Sequence, residues 1–152
     1  MFSNKIQEII NSEQQNSDLH STVDIPTLLN ISHNVDLDFL NNQTFNTIAE
    51  DNVNALRSLG MSDNNIHSLC NKLIEYRHVD QVYQIHKGKH IRWVRNDKLT
   101  NGGIVVDVKF LDNGTHILCK SRARFIQYKL DDCLTFQRLS NDEILILQLK
   151  NS

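Results

Sequence analysis

The period of the apolar residues changes once along this chain of 152 residues, near residue 87. Before that point apolar residues recur at three- and four-residue steps; after it they alternate with polar ones. A helical part followed by a strand-rich part is the architecture such a pattern permits. The charge changes at the same place. Residues 1–86 carry four basic and eleven acidic side chains, a balance of −7, and residues 87–138 carry eleven basic and five acidic, a balance of +6. The overall −2 conceals two differently charged surfaces, and with them two different contacts are expected.

A chain of this length buries enough surface for a real core, and its 39% hydrophobic and 7% aromatic content fits a globular protein. No apolar run reaches the roughly 18–20 residues of a membrane span, so no membrane partner is expected. The start, Met-Phe-Ser-Asn-Lys-Ile-Gln-Glu, lacks the charged n-region, apolar block and small-residue site of a signal peptide, so an intracellular, cytoplasmic protein is expected. Cys70, Cys119 and Cys133 are odd in number and widely spaced, which favours buried free thiols over a disulfide framework or a zinc ribbon. The sequons at Asn30, Asn42 and Asn113 carry no meaning without a secretory route.

Four segments follow from the pattern. Residues 1–35 read as loosely structured, with one short helix at Ile6, Ile9 and Ile10, a polar linker from Asn11 to Asp18, and a docked segment around Pro26. Residues 36–86 read as helical. Gly60 follows Leu59 where a helix C-cap needs a residue without Cβ, and Ser62 with Asp63 opens the next helix, whose apolar stripe is Ile66, Leu69, Cys70, Leu73 and Ile74. Such a helix-turn-helix corner occurs in DNA-binding domains, but it is also ordinary helical packing. Its polar face of Asn64, Asn65, His67, Asn71 and Lys72 lies in an acidic region.

Residues 87–138 read as five short strands. His90–Arg95 and Ile104–Phe110 alternate, the latter with Ile104, Val106, Val108 and Phe110 on one face, and two further strands are expected at Arg124–Lys129 and Cys133–Gln137. Asn113-Gly114 predicts a two-residue type I′ hairpin. That register faces Asp112 with Thr115, Phe110 with Ile117, and Val108 with Cys119 inside, and sets Asp107 against Lys120 and Lys109 against Leu118 outside. Residues 139–152 read as a terminal helix, because Ser140-Asn-Asp-Glu143 is a capping box ahead of an apolar run. That run needs covering, so it is expected to dock on the barrel or on a partner. The expected fold is therefore α+β: an acidic helical N-terminal region, a small five-stranded barrel and a C-terminal helix.

Lys87-Gly-Lys-His-Ile-Arg-Trp-Val94, a polar loop, Gly102-Gly-Ile-Val-Val-Asp-Val108 and a hairpin closing near Phe136 resemble the SH3-like barrels of the Tudor and KOW groups. The resemblance covers about a third of the chain and implies a basic or aromatic rim that binds nucleic acid, modified tails or another protein. The wording of this segment, with an Asn- and Ile-rich composition, is also similar to uncharacterised proteins of large nucleocytoplasmic DNA viruses. That likeness implies viral factories or the virion and no particular activity.

Gly102-Gly103 lacks the spacing of a phosphate loop and precedes a strand, so it reads as a tight turn. The pairs His67/Cys70 and His86/His90 suit zinc in residue type, yet no second pair completes a four-ligand site. No nucleophile elbow appears, no catalysis is expected, and no cofactor is implied. The basic set carries the functional expectation. Arg92, Arg95 and Lys98 lie on the first strand and its loop, and Arg122 and Arg124 lie in the loop after the third strand. Brought together they would attract phosphate. Trp93 and Tyr128 are the aromatics expected at the rim for stacking, although a barrel so small needs most aromatics as core. A binding or adaptor module for nucleic acid is the leading expectation. Its alternative is an assembly or virion protein whose acidic and basic halves drive self-association or docking on another protein.

Overall fold

A computed structural model describes residues 35–150. The expected N-terminal helix, the linker and the segment around Pro26 lie outside the described residues. In chain order the elements are α1 (Leu37–Leu40), α2 (Phe45–Arg57), α3 (Asp63–Lys72), β1 (Tyr76–Val79), β2 (His90–Arg95), β3 (Lys98–Leu99), β4 (Gly103–Leu111), β5 (Gly114–Ser121), β6 (Arg124–Lys129), β7 (Leu134–Arg138) and α4 (Asn141–Lys150). Single 3₁₀ turns occupy Val82–Gln84 and Leu130–Asp132. The fold is mixed α+β. The described residues form two compact units, one of residues 35–45 with 140–150 and the other of residues 46–139. No described helix is long and apolar enough to cross a membrane.

In the first unit the capping box forms as expected. The Glu143 amide donates to Ser140 Oγ at 3.1 Å, and the Ser140 amide donates to Glu143 Oε1 at 2.8 Å. The other Glu143 oxygen accepts from the Asp36 amide at 3.2 Å, while Asp36 itself caps α1 by accepting from the Phe39 amide. Lys150 Nζ donates to the Leu40 carbonyl. A single carboxylate thus satisfies amides that two helix starts leave orphaned.

In the second unit α2 ends at Arg57, Gly60 takes φ +75°, and Ser62 caps α3 through the Asn65 amide at 3.3 Å. The corner predicted from Gly60 and Ser62 is therefore present. Residues 76–79, read as the end of the helical region, form β1 instead.

The barrel of five strands requires correction. The described residues form one antiparallel sheet of seven strands in the order β1-β7-β2-β4-β5-β6, with β3 paired to β2, and it is not closed. Closure fails because β7 spends its second edge on β1. The remaining edge of β1 meets the Asn52 side chain of α2, whose Nδ2 donates to the Tyr76 carbonyl at 2.9 Å and whose Oδ1 accepts from the His78 amide at 2.8 Å. A side-chain amide here does what another strand would do, and the edge is blunted. The sheet nonetheless curls. Three strand spacings would hold β2 and β6 about 14 Å apart if it were flat, yet the Trp93 and Tyr128 rings stack at 4.1 Å.

The β4–β5 register also differs from expectation. Leu111 pairs with Gly114, Phe110 with Thr115, Lys109 with His116, Val108 with Ile117 and Asp107 with Leu118, so the loop is Asp112-Asn113 rather than Asn113-Gly114. Asn113 does not take positive φ. Gly114 is then the residue after the turn, a place glycine favours in type I. The slip is by two residues, which keeps Val108, Ile117 and Cys119 facing inward, but Phe110 at the tip is exposed. Ile104, expected on the inner face, faces out because a bulge reverses the parity and turns Val105 inward. The bulge lies between Val105 and Asp107, after which Val105 meets Cys119 and Ile104 meets Lys120. The type I′ signature lies elsewhere: Arg95 pairs with Lys98, and Asn96 and Asp97 between them have φ of 52° and 62°.

The sheet buries its two faces differently. The concave face gathers Val79, Ile85, Ile91, Trp93, Val105, Ile117, Cys119, Tyr128 and Leu130. The opposite face of β2 and β7 offers Val94 and Phe136 to Leu56, Ile66, Leu69 and Leu73 of α2, α3 and the turn after α3. No member of that second cluster comes from β4, β5 or β6. Among the described residues α2 and α3 cover the β2–β7 half of the outward face, while Ile104, Lys120 and Phe125 on its other half are exposed.

Candidate nucleic-acid interface

Two hairpins place the basic residues. β2 and β5 each pair antiparallel to β4, so they run in the same direction. Their following turns, Asn96-Asp97 and Arg122-Ala123, therefore lie at one end of the sheet. Arg95 and Lys98 flank the first turn; Arg122 begins the second and Arg124 follows it. All four are exposed. Among the described residues their side chains enter no ion pair. Arg95, Lys98 and Arg124 share the strand parity of Trp93 and Ile126, so they rim the concave face just beyond its apolar core.

Arg122 has φ +55° at the first central position of its turn, where glycine is the usual occupant. Holding an ordinary side chain in the left-handed region costs about 1 kcal/mol or more. Strain of this kind recurs at functional positions.

Arg92 stands apart from that cluster. It is half-buried, its Nε donates to the Thr100 carbonyl at 2.9 Å, and its guanidinium reaches the Lys72 carbonyl at the end of α3 at 3.5 Å. Its charge serves a helix C-terminus and a loop, which leaves it poorly placed for phosphate.

Trp93 and Tyr128 also need correction. They are 4% and 2% exposed, stack on each other, and anchor the core; the Tyr128 hydroxyl pairs with Thr135 Oγ1 at 2.9 Å. Burial pushes that phenol's pKa up. Neither ring reaches the rim. The exposed aromatic beside the second turn is Phe125, which faces outward, 61% exposed, with Lys120 Nζ 6.0 Å from its ring centre. Alternation in Arg124-Phe-Ile-Gln-Tyr128 would have found it, since a buried Tyr128 requires Phe125 to face out.

On the helix-covered half, Tyr76 Oη lies 2.9 Å from His90 Nδ1, and Arg138 pairs with Glu75 at 2.8 Å. Burial, then Arg92 and Arg138, hold the His90 pKa below the usual histidine value. Burial does the same for His78 against the opposing pull of Asp80 and Asp51. The unfolded chain therefore takes up protons at these sites before the folded one. Their stabilising effect is complete above the unfolded value near 6.5 and is lost as pH falls below it. The urea midpoint should drop between about pH 7 and pH 5.5, and the double variant H78Q/H90Q should drop less. Parallel curves for the two proteins would refute the assignment.

Cys119 is buried, which pushes its thiol up to about 12. Among the described residues no group of three His, Cys, Asp or Glu side chains is placed to hold a metal ion, and neither His67/Cys70 nor His86/His90 gains a third ligand. What the described surface offers near the basic turns is charge and the exposed ring of Phe125. Comparison with protein-family models, curated proteins and solved structures finds no match for this chain.

Proposed function

We propose that this protein is a non-enzymatic binding module that holds the phosphate backbone of nucleic acid at the end of the sheet formed by the 95–98 and 122–124 turns. The observation that carries this reading is four exposed cations, Arg95, Lys98, Arg122 and Arg124, brought to one end with no ion pair among the described residues. Unpaired surface cations contribute little to folding, so a cluster at two turn tips has its best use outside the molecule. The strained Arg122 backbone adds support. The five strands expected from the sequence lie side by side in the order β7-β2-β4-β5-β6, which supports kinship with SH3-like binding barrels despite the open sheet.

Binding should weaken steeply with salt, with a log–log slope of about −0.7 per phosphate contact on single strands or −0.9 on duplex. Replacing Arg95, Lys98, Arg122 and Arg124 with Gln should flatten that slope without changing the melting temperature. Fluorescence anisotropy at two salt concentrations measures it. No binding at low salt to DNA or RNA, single- or double-stranded, would sink the reading. A second reading, docking on a protein during assembly, draws on Phe110 and Leu111, both exposed at the far hairpin tip. It predicts altered light scattering of F110S/L111S and no nucleic-acid binding.

A further inference from the structure

We infer that the outward face of β4, β5 and β6, on which α2 and α3 do not pack, is a platform for single-stranded nucleic acid, with a base stacked on Phe125. The inference rests on the phosphate-binding reading and names its ligand class. Registers across the three strands set three rows on this face. Ile104, Lys120 and Phe125 form the first; Asp107, Leu118 and Gln127 the second; Lys109, His116 and Lys129 the third. Neighbouring rows lie about 7 Å apart and each row is about 10 Å wide, enough for a short run of splayed bases. No residue of these strands joins the cluster that α2 and α3 cover.

The chemistry of the face chooses the occupant. Three lysines stand on it against one carboxylate, Asp107, whose charge faces Lys87 at 3.6 Å. An anion is favoured. Phe125 and Ile104, both exposed in the first row beside Lys120, offer an apolar surface with a cation at its edge. A duplex presents its phosphates but keeps its bases stacked inside. A single strand presents both, and aromatic side chains beside cations are how proteins hold unpaired bases. The row that holds Phe125 is next to the Ser121–Arg124 pair that closes the second turn, so a strand held by Arg122 at the tip of that turn would run onto it, while Arg124 faces the concave side.

The test uses the full chain with labelled oligo-dT and oligo-U, and a hairpin duplex of the same length, in anisotropy titrations. Single strands should bind on the order of tenfold tighter than duplex. Phe125→Ala should weaken single-strand binding by on the order of tenfold, Phe125→Trp should retain it, and neither should change duplex binding. K109Q/K129Q should lower the salt slope on single strands. Phe125 is largely exposed, so its replacement leaves the core intact, and a melting curve checks this. Equal affinity for duplex and single strand, or indifference to Phe125→Ala, overturns the platform while leaving phosphate binding in place. Absence of any binding overturns both.

Discussion

Gly102→Ala should cost on the order of 4 kcal/mol or more and leave little folded protein. Gly102 has φ +72°, and a Cβ built there would sit 1.8 Å from the Ile91 carbonyl oxygen and 2.8 Å from its carbon. Both are backbone atoms of β2 and cannot move aside. The cause is a bulge. β2 pairs with β3 as Val94 with Leu99, but with β4 as Ile91 with Gly103, a register one residue different. Thr100 bridges the gap, donating its amide to the Trp93 carbonyl at 2.9 Å while its Oγ1 accepts from the Trp93 amide at 3.2 Å. The extra residue is absorbed at Gly102, pressed against the neighbouring strand. Gly60→Ala is the control. Its φ is +75° but nothing lies within 4 Å of the new methyl, so the loss should be about 1–2 kcal/mol. Similar urea midpoints for the two variants would show that the close approach to Ile91 is not what requires glycine.

The second large effect is Asn52→Leu. Asn52 is buried, and its amide satisfies one carbonyl and one amide on the edge of β1. Leucine removes both partners and covers the strand with a side chain that cannot pair. Each buried backbone group left unsatisfied costs about 1–3 kcal/mol, so a loss on the order of 2–5 kcal/mol is expected. Asn52→Asp keeps the acceptor for the His78 amide and loses the donor to the Tyr76 carbonyl, so it should fall between wild type and Asn52→Leu. Amide exchange at His78, measured by NMR, separates the two: it should accelerate in Asn52→Leu and stay slower in Asn52→Asp. An unchanged rate in Asn52→Leu would mean that β1 needs no cap.

The functional proposals depend on a division of labour among arginines that chain order does not reveal. Arg92 and Arg95 are three residues apart, yet one is tied to the carbonyls of Thr100 and Lys72 and the other stands exposed beside a turn. Arg92→Gln should therefore lower stability more than it lowers nucleic-acid binding, the reverse of Arg95→Gln.

Local interactions made much of this legible in the sequence. Gly60 and Ser62 mark a helix end and a helix start because capping involves residues within one turn of each other. Ser140 and Glu143 mark α4 for the same reason. The strands at 90–95, 104–110 and 124–129 follow from alternation, which also assigned Ile117 and Cys119 to the core. Tertiary structure decided the rest, because the deciding partner is distant in each case. Alternation has a period of two, so it cannot distinguish the expected β4–β5 register from one slipped by two residues; the turn and the Val105–Asp107 bulge chose. Tyr76–Val79 carries no strong strand signal and is a strand because β7 and Asn52 satisfy its two edges. Trp93 and Tyr128 were candidates for the rim until the curl of the sheet stacked them. Phe125 is exposed, and α2 and α3 pack on β2 and β7 rather than on its strand. Which residues alternate is written along the chain; which face is covered depends on where the helices come to rest.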